Sequence, residues 1–286
     1  MIPSYLSEAE LQFLITKSIE EDLGDGDHST NAILPGVKKV DAYIISKSEG
    51  IIAGTELAER IFHQFDDSLT VRILIPDGST VKFGEKVILI SGHVQAILSA
   101  ERLVLNFMQR MSGIATATRK LSVLIEGTGT RLLDTRKTTP LLRKIEKWAV
   151  QVGGGTNHRF GLYDMIMLKD NHIDYAGGIV NAVQMARDYI GNNHKNLKIE
   201  IETRSLHEVK EALDTGGVDL IMLDNMSLDD MRQAVKMIAG RIKTEASGNI
   251  NEHNIREVAL CGVDYISVGA ITHSVKSMDL SLKAEI

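Results

Sequence analysis

The chain has 286 residues, one cysteine and a formal net charge of -6, from 32 Lys and Arg against 38 Asp and Glu. That length buries a substantial core and allows one large domain or two smaller ones. The acidic balance excludes a global basic field for nucleic acid or an acidic membrane, so any cationic site must be local. Cys261 excludes an intrachain disulfide, reads as a buried structural thiol beside Gly262, and fits a reducing cytoplasm. With Glu20-Glu21-Asp22 near the N-terminus, no basic and then apolar leader, and no apolar run of roughly 18 residues, export and membrane insertion are not expected.

Apolar positions Leu11, Leu14, Ile15, Ile19 and Leu23 predict a helix over 7–23, capped by Ser7 and ended by Gly24. Asp25 to Thr30 reads as a turn. The period then becomes strand-like, with strands at Val40–Ser46, Ile51–Gly54, Leu69–Ile75 and Val87–Ile90, interrupted by one short helix over Glu56–Phe65. From Ala96 an apolar stripe of Leu103, Val104, Phe107, Met108 and Met111 predicts a helix, with a kink or break at Ser112-Gly113 and a second helix to Leu124.

The second half writes six short apolar strands, each followed by charged, amide or glycine residues. They are 131–134, 165–168, 198–201, 219–223, 241–244 and 264–268. Buried parallel strands are apolar on both faces, and the residues past their C-terminal ends share one mouth, so the pattern predicts an α/β barrel. Six strands fall short of eight, which makes the barrel incomplete. The boundary falls near 110, giving an N-terminal α/β domain over 1–110 and a barrel over 111–273, with the tail 274–286 returning to the first domain.

Four constellations in that mouth carry chemistry. Thr135-Arg136-Lys137-Thr138-Thr139-Pro140 sets two cations before a Pro-initiated helix, a candidate anion site or else an ordinary solvated loop. Gly153-Gly154-Gly155 precedes His158 and Arg159, which together with Lys169 can project into the same mouth; Lys169 is either a fixed charge or, if desolvated, an amine nucleophile. Glu202 and Asp224 end consecutive strands and can serve a hydrated magnesium ion, a developing positive charge, or salt bridges to the cations; Glu200 shares the parity of Glu202 and is not separated from it by periodicity. Ser247-Gly248-Asn249 and Val268-Gly269-Ala270 are the last two strand ends, which in barrels grip phosphate or simply form tight turns. Clustered cations repel one another at a cost that a multiply charged ligand removes.

Taken together these stretches resemble the quinolinate phosphoribosyltransferase family. The likeness runs in order through Glu21-Asp22-Leu23-Gly24, Glu101-Arg102, Gln109 to Thr116, Leu133 to Thr138, His158-Arg159, Lys169 to Ile173, Leu223-Asp224-Asn225, Ser247-Gly248-Asn249 and Ile266 to Ala270. It implies a mixed α/β sandwich domain followed by an open α/β barrel. It also implies a decarboxylating transfer, in which quinolinate and phosphoribosyl pyrophosphate give nicotinate mononucleotide, pyrophosphate and carbon dioxide, with magnesium, in NAD biosynthesis. By the same resemblance Arg136, His158 and Arg159, helped by Lys169, hold the quinolinate carboxylates, and Arg102 joins them from the neighbouring subunit of a homodimer. Lys137 and Lys169 face the pyrophosphate. Glu202 and Asp224 act on the ribose and magnesium. Ser247, Gly248, Asn249, Gly269 and Ala270 cradle the 5′-phosphate, and Thr135 and Val268 complete the substrate site. The chain departs from the family at Leu141, where glycine is common. Two other readings stand beside this one: a Schiff-base aldolase using Lys169, and a non-catalytic anion-binding module.

Overall fold

The computed structural model describes residues 1–34 and 38–285, so the last residue of the 274–286 tail lies outside them. The chain forms two compact units, one of Met1–Arg119, Thr139–Gly154 and Ser274–Ile286, the other of Lys120–Thr138 and Gly155–His273.

In the first unit, α1 (Glu8–Leu23) starts with a reciprocal cap: the Ser7 hydroxyl accepts from the Glu10 amide at 3.3 Å and the Glu10 carboxylate accepts from the Ser7 amide at 3.0 Å. Leu11 and Ile15 of its apolar stripe are buried. The expected turn at Asp25 to Thr30 instead opens a short helix, α2 (His28–Ile33), because the Asp27 carboxylate accepts from the Thr30 amide at 3.0 Å. Next come β1 (Lys39–Ser46), β2 (Gly50–Ile51), α3 (Thr55–Phe65), β3 (Thr70–Ile73), β4 (Thr80–Val81) and β5 (Lys86–His93). β5 pairs antiparallel with both β1 and β3, and β2 pairs with β4. Leu57, Ala58, Ile61 and Phe62 form the buried face of α3, and Ile44, Ile88 and Ile90 are buried in the sheet.

α4 (Val94–Leu124) runs unbroken through Ser112-Gly113, where the sequence predicted a kink or break. The reason is packing. The Ser112 hydroxyl accepts from the Ala53 amide at 3.0 Å, and a Cβ on Gly113 would lie 2.5 Å from the Lys276 carbonyl, so glycine serves a close approach of the tail. α5 (Arg143–Val152) begins three residues after Pro140, which therefore sits in the preceding turn and does not initiate the helix. In that turn Leu141 adopts φ 66 and is 95% exposed, a conformation glycine reaches without strain.

The second unit contains β6 (Arg131–Leu133), β7 (Ile166–Leu168), α6 (Asp170–Ala176), α7 (Ile179–Asn192), β8 (Ile199–Thr203) and α8 (Leu206–Thr215). It continues with β9 (Leu220–Asp224), α9 (Leu228–Ile238), β10 (Lys243–Ser247), α10 (Ile255–Ala259), β11 (Tyr265–Ser267) and α11 (Ala270–His273). Six parallel strands run in the order β6-β11-β10-β9-β8-β7, an incomplete barrel whose end strands β6 and β7 do not pair with each other. The fifth strand of the sequence pattern shifts from 241–244 to Lys243–Ser247. Arg241 stays outside, its guanidinium donating to the carbonyls of Met237 and Ile238, while the polar Thr244 and Glu245 are buried in the strand. Cys261 is buried, and burial pushes its thiol pKa up.

The tail strand β12 (Leu280–Ala284) pairs antiparallel with β1, completing the first unit's sheet in the order β12-β1-β5-β3. No helix among the described residues is long and apolar enough to cross a membrane. Adding a methyl group at Gly113 must displace backbone, so Gly113→Ala is expected to destabilise the protein by about 1–3 kcal/mol despite the better helix propensity of alanine. Chemical denaturation followed by circular dichroism checks this; an unchanged or raised midpoint would refute it.

Candidate active site

Parallel strands end on one edge of their sheet, and at that edge of the second unit lies a cavity of about 810 Å³. Past β6, Thr135, Arg136 and Lys137 line it, and the Thr135 hydroxyl accepts from the Lys137 amide at 3.1 Å to tighten the turn. His158 and Arg159 enter from the loop before β7, and Lys169 follows that strand. Glu202 and Asp224 sit at the ends of β8 and β9. Ser247, Gly248 and Asn249 come from β10, and Val268, Gly269 and Ala270 from β11. Arg102, on α4 in the first unit, is not among the residues that line the cavity; it is exposed and without a hydrogen bond or ion pair among the described residues.

The two glycine corners are tightly built, and at Gly248 the backbone conformation itself calls for glycine. Gly248 has φ +98, and a Cβ there would lie 2.2 Å from Oδ1 of Asn225. Asn225 and Asn249 both take φ 52, the Asn225 amide donates to the Ser247 carbonyl at 2.9 Å, and the Asn249 side chain donates to Asn225 at 3.0 Å. A Cβ on Gly269 would lie 3.0 Å from Lys137 and 3.1 Å from the His273 ring. The Thr272 hydroxyl, donating to the Lys137 carbonyl at 2.8 Å, ties this corner to the turn after β6. Among the described residues the amides of Gly248, Asn249 and Gly269 donate to no protein acceptor, which leaves a cradle of N–H groups suited to an anion.

Charge is divided across the cavity. Arg159 donates to the Met165 carbonyl at 3.1 Å and to the Met167 sulfur at 3.5 Å, while its Nε is buried without a partner. Burial, and then the charge of Arg136, lower the Arg159 pKa, so two guanidinium groups share a partly dry space that an anion would relieve. Lys169 lies 3.6 Å from Glu202, its side chain half exposed. A carboxylate neighbour and open solvent are not the apolar enclosure that an amine nucleophile needs, which removes the basis for the aldolase reading. The Glu202 pKa is raised, chiefly by burial and further by Asp224.

Beneath this layer His158, Glu200 and Glu245 form a buried cluster, with Nε2 of His158 3.0 Å from Glu200 and 3.2 Å from Glu245. Nδ1 accepts from the Arg159 amide at 2.7 Å. Burial works against a charged ring, but the two carboxylates outweigh it and push the imidazole pKa up to about 10. Burial also pushes Glu200 up to about 7. A doubly protonated ring would turn an N–H toward the Arg159 amide, so the geometry instead leaves a lone pair on Nδ1 and the ring proton on Nε2, and the further proton that the cluster attracts belongs on Glu200, whose pKa burial raises. A metal does not fit this trio: a ligating histidine gives one nitrogen to the ion and donates from the other, whereas here Nδ1 accepts and Nε2 holds the proton. Glu202 and Asp224, half-buried and mutually repelling, fit a hydrated divalent cation better.

Sequence reasoning gave Glu245 no role because it lay just past the strand drawn at 241–244, left Glu200 undecided, and passed over His273, which also lines the cavity. Asp134 was read only as a strand residue. It is fully buried and accepts from the His158 amide at 2.8 Å and the Asn157 side chain at 2.7 Å. The signal for Glu245 was available: it shares its strand face with Ser247, as Glu200 does with Glu202.

The model for the C-terminal domain of quinolinate phosphoribosyl transferase matches residues 114–283, and that for the N-terminal domain matches 27–112. The chain is 44% identical over 291 aligned residues to the chloroplastic nicotinate-nucleotide pyrophosphorylase [carboxylating] of Arabidopsis thaliana, covering 96% of this chain and 83% of that protein. It is 42% identical to a probable nicotinate-nucleotide pyrophosphorylase [carboxylating] of Bacillus subtilis, covering 97% and 94% of the two chains. Among solved structures, NadC from Streptococcus pyogenes superposes with a TM-score of 0.92 at 40% identity, covering 98% of this chain and 99% of that one. The nicotinate-nucleotide pyrophosphorylase from Francisella tularensis gives 0.91 at 39%, covering 98% and 97%.

A cavity with this charge pattern is expected to take up a polyanion. Inorganic pyrophosphate should raise the unfolding temperature at low salt, and the gain should shrink as ionic strength rises. A thermal shift that is absent, or indifferent to salt, would contradict the reading of the cradle.

Proposed function

The chain belongs to the quinolinate phosphoribosyltransferase family, and from that premise we infer that it is the decarboxylating pentosyltransferase that makes nicotinate mononucleotide from quinolinate and phosphoribosyl pyrophosphate. One observation carries the assignment of parts: the guanidinium pair, the acid pair and the two glycine corners open on the same cavity.

Quinolinate is a pyridine carrying adjacent carboxylates. Arg136 and Arg159 suit those carboxylates, because a planar fork of donors matches a carboxylate and each group gains by having its neighbour's charge neutralised. Lys169 adds a third positive group on the same rim. The sugar phosphate is assigned to the cradle of Gly248, Asn249 and Gly269 with Ser247, Val268 and Ala270, and the pyrophosphate to Lys137 and Lys169, with Thr135 holding the turn that presents Lys137.

With both substrates so oriented, the ring nitrogen attacks the anomeric carbon as its bond to pyrophosphate breaks. The electron pair leaves with pyrophosphate, positive charge develops on the ribose, and Glu202 and Asp224 are the anions available to stabilise it. No general base is needed, since the nitrogen carries no proton. The 2-carboxylate then leaves as carbon dioxide, its bonding pair passes to the carbon beside the pyridinium nitrogen, and a solvent proton replaces it. Magnesium, when bound, neutralises the leaving group; Glu202 and Asp224 are the residues that would hold it, directly or through water.

We also read the working form as a homodimer in the cytoplasm. The single cysteine supports a reducing compartment. Arg102 is exposed on a helix whose neighbouring residues Leu103 and Phe107 line an apolar groove of about 840 Å³ in the first unit, where Phe13 is 65% and Leu141 95% exposed. That groove is the surface we assign to a second copy of the chain, and it is the family resemblance that assigns Arg102 to the partner's cavity.

The assay is ultraviolet detection of mononucleotide formation that requires quinolinate, the phosphoribosyl donor and magnesium; failure of the purified enzyme to turn over would sink the reading. Arg136→Ala and Arg159→Ala should each raise the KM for quinolinate by tenfold or more, roughly the loss of a charge-assisted hydrogen bond, with a smaller change for the donor. Equal effects on both substrates would count against the assignment. Arg102→Ala and Lys137→Ala proteins, each inactive, should regain activity when mixed and allowed to exchange subunits. Lack of rescue in verified mixed dimers would argue against a shared site.

A further inference from the structure

The His158 side chain is nearly closed off, 7% exposed against 50% for Lys169, with both ring nitrogens directed at protein groups. Nε2 faces Glu200 of β8 and Glu245 of β10 at 3.0 and 3.2 Å, and both carboxylates are wholly buried. Nδ1 receives the Arg159 amide. The His158 amide is itself held by Asp134, which follows β6 and also grips the Asn157 side chain. The backbone of 157–159 is therefore pinned from three different strands. Arg159 emerges from that pinned segment with two of its nitrogens fixed on Met165 and Met167 and Nε left buried without a partner.

Two buried carboxylates on one ring are costly and need a return. Their return cannot be contact with a bound dicarboxylate, since they would repel it, and the ring between them turns Nε2 toward their carboxylates and Nδ1 toward the Arg159 amide. We propose that His158 is a positioning residue, locked by Glu200 and Glu245, that fixes the Arg159 main chain and so aims its guanidinium at the substrate carboxylate without touching the substrate. The proposal rests on the reading that Arg159 takes a carboxylate of the pyridine, and it changes the part the family resemblance gives His158 from ligand to support.

The test uses full-length enzyme with ¹⁵N-labelled histidine and arginine, the His158 signals being identified by their loss in His158→Gln and the Arg159 signals by their loss in Arg159→Lys. In the free protein Nε2 should carry the proton and Nδ1 should have the shift of a nitrogen accepting a hydrogen bond. Saturation with phthalate, an aromatic 1,2-dicarboxylate lacking the reacting nitrogen, should leave both ring shifts in place while Arg159 side-chain signals move. A proton on Nδ1 in the free protein, or a large change at either His158 nitrogen on phthalate binding, overturns the proposal.

Kinetics supply a second arm. Glu245→Gln should raise the KM for quinolinate about tenfold, the size of losing a buried partner, with the donor KM unchanged. A fall in kcat at unchanged KM, or equal loss for both substrates, speaks against the proposal. Should that variant fold poorly, the measurement on unmodified protein still decides. Absence of quinolinate turnover by the unmodified enzyme would sink the functional reading separately, because the free-protein ring assignment needs no ligand.

Discussion

The direction of a parallel sheet governs the rest of this structure. Six strands joined by crossover helices must all finish on one edge, so residues that lie far apart in sequence arrive at one mouth whatever their chemistry. The strands themselves can be short, three to five residues, because only their last positions need to be aimed. Their apolar residues pay the entropy of ordering, and the charged residues beyond them are presented on a frame already fixed.

That concentration creates an electrostatic problem. Like charges at about 4 Å repel by about 4 kcal/mol where the effective dielectric is near 20, and Arg136 is close enough to Arg159 to help lower its pKa. The molecule answers in two layers. Buried acids, Asp134, Glu200 and Glu245, lie under the rim and engage main chain or imidazole, while Glu202 and Asp224 stay at the surface of the cavity, where one meets Lys169. The lower layer sets geometry; the upper layer remains free for chemistry. A substrate with adjacent carboxylates and a sugar phosphate is complementary to the part of the charge that the protein leaves unbalanced.

Backbone strain is stored in the same place. Asn225 and Asn249 occupy left-handed conformations on either side of Gly248, and the three lock the ends of two strands into one corner. The corner keeps its amides away from protein acceptors, which is what an anion cradle requires.

Much of this was legible in the linear sequence, and the reason is burial. Strands covered on both faces must be apolar, so β6, β7, β8, β9 and β11 announced themselves, and with them the cations and acids that follow; the Ser7 cap was equally plain because its hydrogen bonds are local. β10 was misplaced because its buried Thr244 and Glu245 are polar, and polar residues read as surface unless their partners are known. The continuity of α4 through Gly113, the pairing of β12 with β1, and the commitment of both His158 nitrogens each depend on groups distant in the chain. Periodicity, capping and residue type thus determined which side chains reach the mouth. Only the tertiary fold decided which of them face a ligand and which are held in place, since that depends on long-range partners whose distances no local pattern encodes.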